Sequence, residues 1–311
     1  MTDGCGRTIR YLRLSVQTCA TTAAAAVTVC RKQTSKNEPI AIFFCGGVRG
    51  DRPDRSKLRR EKICLTSGEP LVRHEILEIC RDLSAISGLD ELYGSRLPEL
   101  AAPLKEAGVS RLNVSLGTLC PDRFSHITRR GCLSDVLTGL EAAERARFLN
   151  LKCNMVLIGG FNDSEIKDFV TLTEHRPWEI CFIELMHMGQ CTDWEKGCFL
   201  PAEEVLRQVS ALRPCEPSGT AARYRVPGWA GTVGLIEPLS HRFCDRCDRI
   251  QVTPDEKLKP CLHSEAELPL RGLHGAELKA AIRLGITQKP EQHHLADGSS
   301  GTHRNMNEIG G

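Results

Sequence analysis

Leu151-Lys152-Cys153-Asn154-Met155-Val156-Leu157-Ile158 is a short β-rich run. The amphipathic stretch Leu133–Arg147 leads into it, and the β-rich Arg111–Leu116 lies before that stretch. Strand, longer helix and strand at this interval make a βα unit, because parallel neighbours need a crossover of this length. The same alternation extends in both directions, from Glu61 to about Leu212. Strand candidates fall at Lys62–Thr66 and Glu179–Leu185, with an earlier one at Ile9–Val16; helical stretches fall at Leu71–Leu83, Leu97–Ala107 and Ser164–Glu174. Cys120-Pro121-Asp122 and Asn162-Asp163-Ser164 supply residues that start helices. The fold class is therefore α/β, with a parallel sheet that is open or barrel-like and a site at the C-terminal ends of its strands.

Two segments break the alternation. Residues 17–60 hold the alanine run Ala23–Ala26 and the basic, turn-rich Gly46–Arg60, and neither a helical nor a strand period runs through them, which predicts poor order there. Beyond about Pro214 come Gly/Pro-punctuated strands, a cysteine cluster and a polar tail from Gln288. The division expected is 1–186 for the βα unit and 187–311 for a second domain.

Composition narrows the function classes. The chain has 311 residues, with 41 Lys+Arg against 39 Asp+Glu, a balance that gives no electrostatic reason to expect nucleic acid or a membrane surface as partner. It has no apolar run of the roughly 18 residues a membrane span requires, nor a signal-peptide pattern, and reads as cytoplasmic. Sixteen cysteines then stand out, because a reducing compartment points them to metal or catalysis rather than to disulfides.

Cys244-x2-Cys247-x13-Cys261 is the strongest metal signal. Two cysteines in a tight turn and a third returning through the hairpin-like Ile250–Pro260 give three thiolates. These suit an iron–sulfur cluster with one iron open or, with His263 or His241 added, a structural zinc. Thr66-Ser67-Gly68-Glu69-Pro70 follows a strand and opens a helix, where a glycine lets a ligand approach the backbone and a proline suits the first turn; an ordinary βα turn reads the same way. Ser115, Lys152 and Met186 fall at or near later strand ends. Gly310-Gly311 ends the chain, slim enough to thread a channel or simply frayed.

Together these pieces resemble the GTP 3',8-cyclase family of molybdenum cofactor (molybdopterin) biosynthesis, lyases of the radical S-adenosylmethionine superfamily. The matching text is Gly6–Val16, Leu65–Arg73, Leu112–Leu119, Lys152-Cys153-Asn154, Phe182–Met186, the three-cysteine cluster and the terminal diglycine, in order along the chain. The resemblance implies a partial (βα)6 TIM-like radical SAM barrel closed by a C-terminal α+β iron–sulfur domain, with two [4Fe-4S] clusters facing each other across a cavity. It further implies S-adenosyl-L-methionine as cofactor and GTP as substrate, converted to (8S)-3',8-cyclo-7,8-dihydroguanosine 5'-triphosphate by a 5'-deoxyadenosyl radical. Carried over by position, Cys244, Cys247 and Cys261 hold the substrate-side metal cluster, and Arg13, Lys152 and Arg249 contact GTP. Gly68, Ser115 and Met186 line the S-adenosylmethionine pocket, and Gly310 and Gly311 reach into the cavity. A homodimer is left open.

The chain departs from the family at defined places. After Val16 come Cys19 and Cys30, with ten residues between them, where the family has Cys-x3-Cys-x2-Cys. Glu91-Leu92-Tyr93-Gly94-Ser95 stands in place of Thr-Thr-Asn-Gly; Cys64, Cys181 and Gln251 stand in place of arginines; Ser67 replaces a glycine, and Gly117 an aspartate. A thiol or amide cannot make the charge-assisted fork an arginine offers a phosphate. A non-catalytic iron–sulfur or zinc protein that binds nucleotide is therefore the competing expectation. Codon degeneracy also permits shifted frames across 17–60: Cys45–Arg60 can be read as an amphipathic helix, and Cys19–Thr22 and Val27–Lys32 as fragments of the missing cysteine loop.

Overall fold

In a computed structural model, the structure describes residues 1–16, 62–66, 69–86, 89–93, 96–129, 131–149, 151–188, 196–295 and 300–309. The irregular window at 17–60, and with it the shifted-frame reading, lies outside them, as do Gly68, Gly310 and Gly311.

Six strands follow one another through the βα region: β1 (Tyr11–Ser15), β2 (Lys62–Thr66), β3 (Leu89–Tyr93), β4 (Arg111–Ser115), β5 (Leu151–Leu157) and β6 (Glu179–Glu184). Each pairs in parallel with the next. Later strands extend both flanks of this sheet. β7 (Arg213–Ser218), β8 (Ala221–Arg225) and β9 (Thr232–Ile236) form an antiparallel meander whose β9 joins β6 in parallel. On the other flank β10 (Arg249–Val252) joins β1 in parallel, with β11 (Lys257–Lys259) and β12 (Leu268–Pro269) turning back beside it. The order is β12-β11-β10-β1-β2-β3-β4-β5-β6-β9-β8-β7. A doubly flanked parallel sheet of this kind is the α/β, partial-barrel class the sequence predicted. The strand at Leu89–Tyr93 is the one the periodic reading did not place; it is short and carries Asp90 and Glu91, residue types that strands disfavour.

Register explains how one sequence serves two faces. Leu12, Ile63, Leu92, Leu112, Cys153, Ile180, Val233 and Ile250 are buried against the covering helices. The alternate positions Tyr11, Arg13, Lys152, Asn154, Ile183 and Gln251 line the concave side. Because side chains alternate along a strand, these polar residues stand in rows across neighbouring strands: Gln251, Arg13 and Cys64 share one row, and Asn113, Lys152 and Glu179 another. The helices that cover the outside, Ile76–Ile86, Leu97–Glu106 and Leu133–Arg145, turn apolar stripes inward through Cys80 and Leu83, Leu97, Ala101 and Leu104, and Val136, Leu140 and Ala143. Phe169 and Phe182 meet edge-on at 6.3 Å in the same outer layer. The stretch Leu71–Leu83, expected as one helix, is a 3-10 turn at Pro70–Val72 followed by the helix from Ile76. Glu69 caps the turn at the Leu71 amide, at 3.2 Å.

Candidate functional site

The concave face encloses a cavity of about 1590 Å3. Its strand-built wall is charged and mutually neutralised. Glu91 accepts from the Tyr11 hydroxyl at 2.5 Å, from Arg111 at 3.1 Å and from the Asn113 amide at 3.3 Å. Burial would raise its carboxyl, but the Tyr11 bond and the charges of Lys152, Arg111 and Arg249 outweigh it and hold the group at about 2. Lys152 Nζ lies 2.9 Å from Glu179. Burial works against this ammonium, and the carboxylates of Glu179 and Glu91 more than offset it, so the lysine stays charged well above its ordinary range. The Cys181 thiol beside it, pushed up to about 12 by burial, is neutral. Arg249 donates to Thr220 Oγ1 at 3.0 Å and stacks its guanidinium 5.1 Å from the centre of the Tyr11 ring. Arg13 points into the cavity from β1 and contacts Thr66 Oγ1 at 3.4 Å. Arg13, Lys152 and Arg249 thus line one space.

Of the three positions expected to hold arginine in this family, two are sealed. Cys64 and Cys181 are fully buried, and burial pushes the Cys64 thiol up to about 12 as well. The third, Gln251, serves another contact. Its amide donates to Ser15 Oγ at 3.1 Å, and Ser15 in turn donates to the carbonyl of Ile309. Ile309 is buried at the end of the short helix Met306–Ile309, immediately before the diglycine. Upstream, Arg304 forks onto Glu267 at 2.5 and 2.7 Å and onto Asp255 at 2.8 Å, fixing the approach of the tail.

At the C-terminal ends of the strands, Ser115 and Met186 line the same cavity. Two buried carboxylates shape this rim. Glu165 accepts from Thr118 Oγ1 at 2.7 Å, from the Leu119 amide at 2.5 Å and from Arg123 at 2.8 Å, tying the loop after β4 to the loop after β5. Glu184 accepts from the amides of Ala202, Leu239 and Ser240 at 3.2, 2.9 and 3.0 Å, joining the end of β6 to the later chain.

Cys244, Cys247 and Cys261 line the same cavity beside β10, half-buried and unbonded to one another. The first two sit on a 3-10 turn, Cys244–Arg246, and the third follows the β10–β11 hairpin, as the spacing implied. Burial raises the Cys244 thiol, the nearby Cys261 and Cys247 add to this, and the Lys289 charge opposes it. Among the described residues no three His, Cys, Asp or Glu side chains converge on a point where one metal ion could sit. Three thiols on one wall without such convergence fit a multi-iron cluster, whose ligands approach different irons. His263, two residues past Cys261, is buried with Nδ1 lacking a hydrogen-bond partner, and burial holds it down at about 3, so it faces this wall as neutral imidazole.

Sequence reasoning missed Ser15, Glu91 and Glu179. Their signal was present as polar residues at alternate positions of strands whose other face is apolar, which marks a lined cavity rather than a solvated sheet.

Comparison with known proteins agrees with this arrangement. The Radical SAM superfamily pattern matches residues 51–173, and the Molybdenum Cofactor Synthesis C pattern matches residues 178–295. The GTP 3',8-cyclase of Alkaliphilus oremlandii (strain OhILAs) is 37% identical over 328 residues, covering 100% of both chains. That of Peptoclostridium acidaminophilum is 39% identical over 319 residues, covering 99% of this chain and 98% of its own. That of Moorella thermoacetica is 42% identical over 265 residues, covering 80% and 81%. With identity at this level along its whole length, the chain belongs to the GTP 3',8-cyclase family of molybdenum cofactor synthesis, within the radical SAM superfamily.

Proposed function

We propose that this chain binds GTP in the central cavity, with Arg13, Lys152 and Arg249 toward the nucleotide and Cys244, Cys247 and Cys261 holding a substrate-side [4Fe-4S] cluster. In this reading it is a GTP 3',8-cyclase by descent whose turnover is impaired. The observation that carries the proposal is that these three cations and three thiols line one cavity. When bound, such a cluster supplies an open iron to which a purine can coordinate. The chain's own residues do the rest. Lys152 and Arg249 are pre-aligned by Glu179 and Thr220, Ser115 and Met186 line the S-adenosylmethionine side, and Ser15 anchors the chain at Ile309. The radical SAM family implies a four-iron cluster and S-adenosylmethionine. The sequence after β1 offers no Cys-x3-Cys-x2-Cys for that second cluster.

Anaerobic reconstitution with iron and sulfide tests this directly. About four irons per chain, GTP binding by calorimetry and no 5'-deoxyadenosine are expected. About eight irons with 5'-deoxyadenosine formed in the presence of GTP would remove the impairment. Absence of both iron and GTP binding would remove the cavity assignment. The coding DNA answers the related question of 17–60: stop codons in the shifted frames rule out the frame-shift reading.

A further inference from the structure

Arg7 lies ahead of β1, in none of the roles assigned above, with its side chain 7% exposed. Its Nε pairs with Asp3 Oδ2 at 2.6 Å, and the other oxygen of Asp3 accepts from the Arg7 and Cys5 amides at 2.8 and 3.0 Å, so the guanidinium is held in one orientation. From there Nη1 donates to the carbonyls of Cys244 at 2.6 Å and Glu291 at 2.9 Å, and Nη2 to that of Pro290 at 2.7 Å. Lys289, buried at the start of the same loop, donates from Nζ to the carbonyls of Pro260 and Arg249, both at 2.8 Å. One cation thus holds the Cys244 turn, and the other holds the peptide entering Cys261 together with the first residue of β10. Arg7 bonds to the loop that carries Lys289, so the two form one brace across the three-cysteine segment.

A brace meant only to fasten backbone has no need of charge. Burying two cations is costly, and apolar packing of similar volume serves stability as well or better. Asp3 neutralises Arg7, whereas Lys289 has only carbonyl acceptors among the described residues; a positive group placed there, behind three thiols, makes sense if those thiols carry negative charge when the site is filled.

We infer that Arg7 and Lys289 are positioning residues for the three-cysteine site: both hold its two arms at cluster separation, and the Lys289 charge also offsets thiolate charge. This rests on the cluster reading of Cys244, Cys247 and Cys261. Residues behind metal ligands commonly change retention of the metal by 10–100-fold when altered.

The test uses the full-length chain, reconstituted anaerobically, with variants Arg7→Lys, Lys289→Met, Lys289→Arg and Cys261→Ala. The readouts are iron per chain, the rate of cluster bleaching by a chelator, and the melting temperature of the metal-free protein. Arg7→Lys and Lys289→Met are expected to bleach about tenfold faster than the parent, with Lys289→Arg nearer the parent. Arg7→Lys does not rescue, because an ammonium cannot reproduce the fork. Bleaching at the parent rate in Arg7→Lys and Lys289→Met overturns the inference. So does acceleration that only follows a lowered melting temperature, or a Lys289→Arg variant no better than Lys289→Met. If Cys261→Ala retains as much iron as the parent, or the parent takes up none, the cluster reading fails and the brace with it. Loss in Cys261→Ala alone leaves the reading standing and removes the brace.

Discussion

Two groups of cysteines in the same molecule have opposite characters. Cys64, Cys153 and Cys181 are sealed in the parallel sheet, where burial pushes each thiol up to about 12. Cys244, Cys247 and Cys261 lie half-buried on the cavity wall, with cations gripping the backbone on either side. Desolvation outweighs the nearby charges of Arg13 at Cys64 and Lys152 at Cys181 and keeps the first group neutral, so they act as small core side chains. The second group is placed where a metal can reach it. Residue type alone is thus silent about function in a chain so rich in cysteine.

The largest effect expected from this contrast is in thiol chemistry. In the metal-free folded chain at pH 8, an alkylating reagent should modify Cys244, Cys247 and Cys261 on the order of 10^3 times faster than Cys64, Cys153 and Cys181. Burial pushes each sealed thiol from the ordinary 9 up to about 12, which leaves it on the order of a thousandth of an ordinary thiol's thiolate, and it slows access as well. Peptide mapping by mass spectrometry after timed quenching reads the ratio. Labelling of Cys181 as fast as Cys247 would break the comparison.

Next in size is the charge pair that accompanies Cys181. Lys152→Met leaves the largely buried Glu179 carboxylate with the Cys181 thiol at 3.4 Å and Arg223, at 3.6 Å, as its remaining cation. A loss of about 3 kcal/mol is expected, since breaking one side of a buried pair strands the other charge. Adding Glu179→Gln should recover much of it, and a double-mutant cycle by denaturant melts measures the coupling. Equal losses in the single and double variants would show that the wall is held by packing instead.

How much of this was legible in sequence follows from range. The βα alternation is a local signal, repeated several times, and it placed β1, β2, β4, β5 and β6 within a residue or two of their bounds. The three-cysteine spacing is also local, a turn plus a hairpin, and the fold keeps it. What could not be read were interactions that join distant segments: Arg7 with Cys244, 237 positions away, Ser15 with Ile309, 294 positions away, and Tyr11 with Glu91. No period in the chain encodes these; the first two exist because β10 pairs with β1 and brings the late chain beside the early one, and the third because β1 and β3 both pair with β2. Gln251 shows the same point. As a residue in place of arginine it looked like a loss, yet through Ser15 it helps hold the tail.

The smallest effect expected lies in that tail and sharpens the contrast between a neutral, sealed wall and a charged, anchored one. Burial raises Glu267, but its bonds to Arg304 and Lys257 and the charges of Lys259 and Arg304 hold it at about 2, below its ordinary 4.5. Asp255, also bonded to Arg304, is held well below the usual carboxylate range. A carboxylate depressed in the folded state stabilises it above the unfolded value. The contribution from Glu267 is therefore complete above about pH 4.5 and is lost as pH falls toward 2. Each unit of displacement corresponds to about 1.4 kcal/mol, and partial access to solvent reduces the total to about 1–2 kcal/mol. Glu267→Gln should remove that part of the acid dependence: denaturant melts at pH 7 and pH 3 would differ less in the variant than in the parent by a little over half of this amount, about 1 kcal/mol. An unchanged difference would mean that Arg304 and the tail are held by Asp255 and by the burial of Ile309 alone.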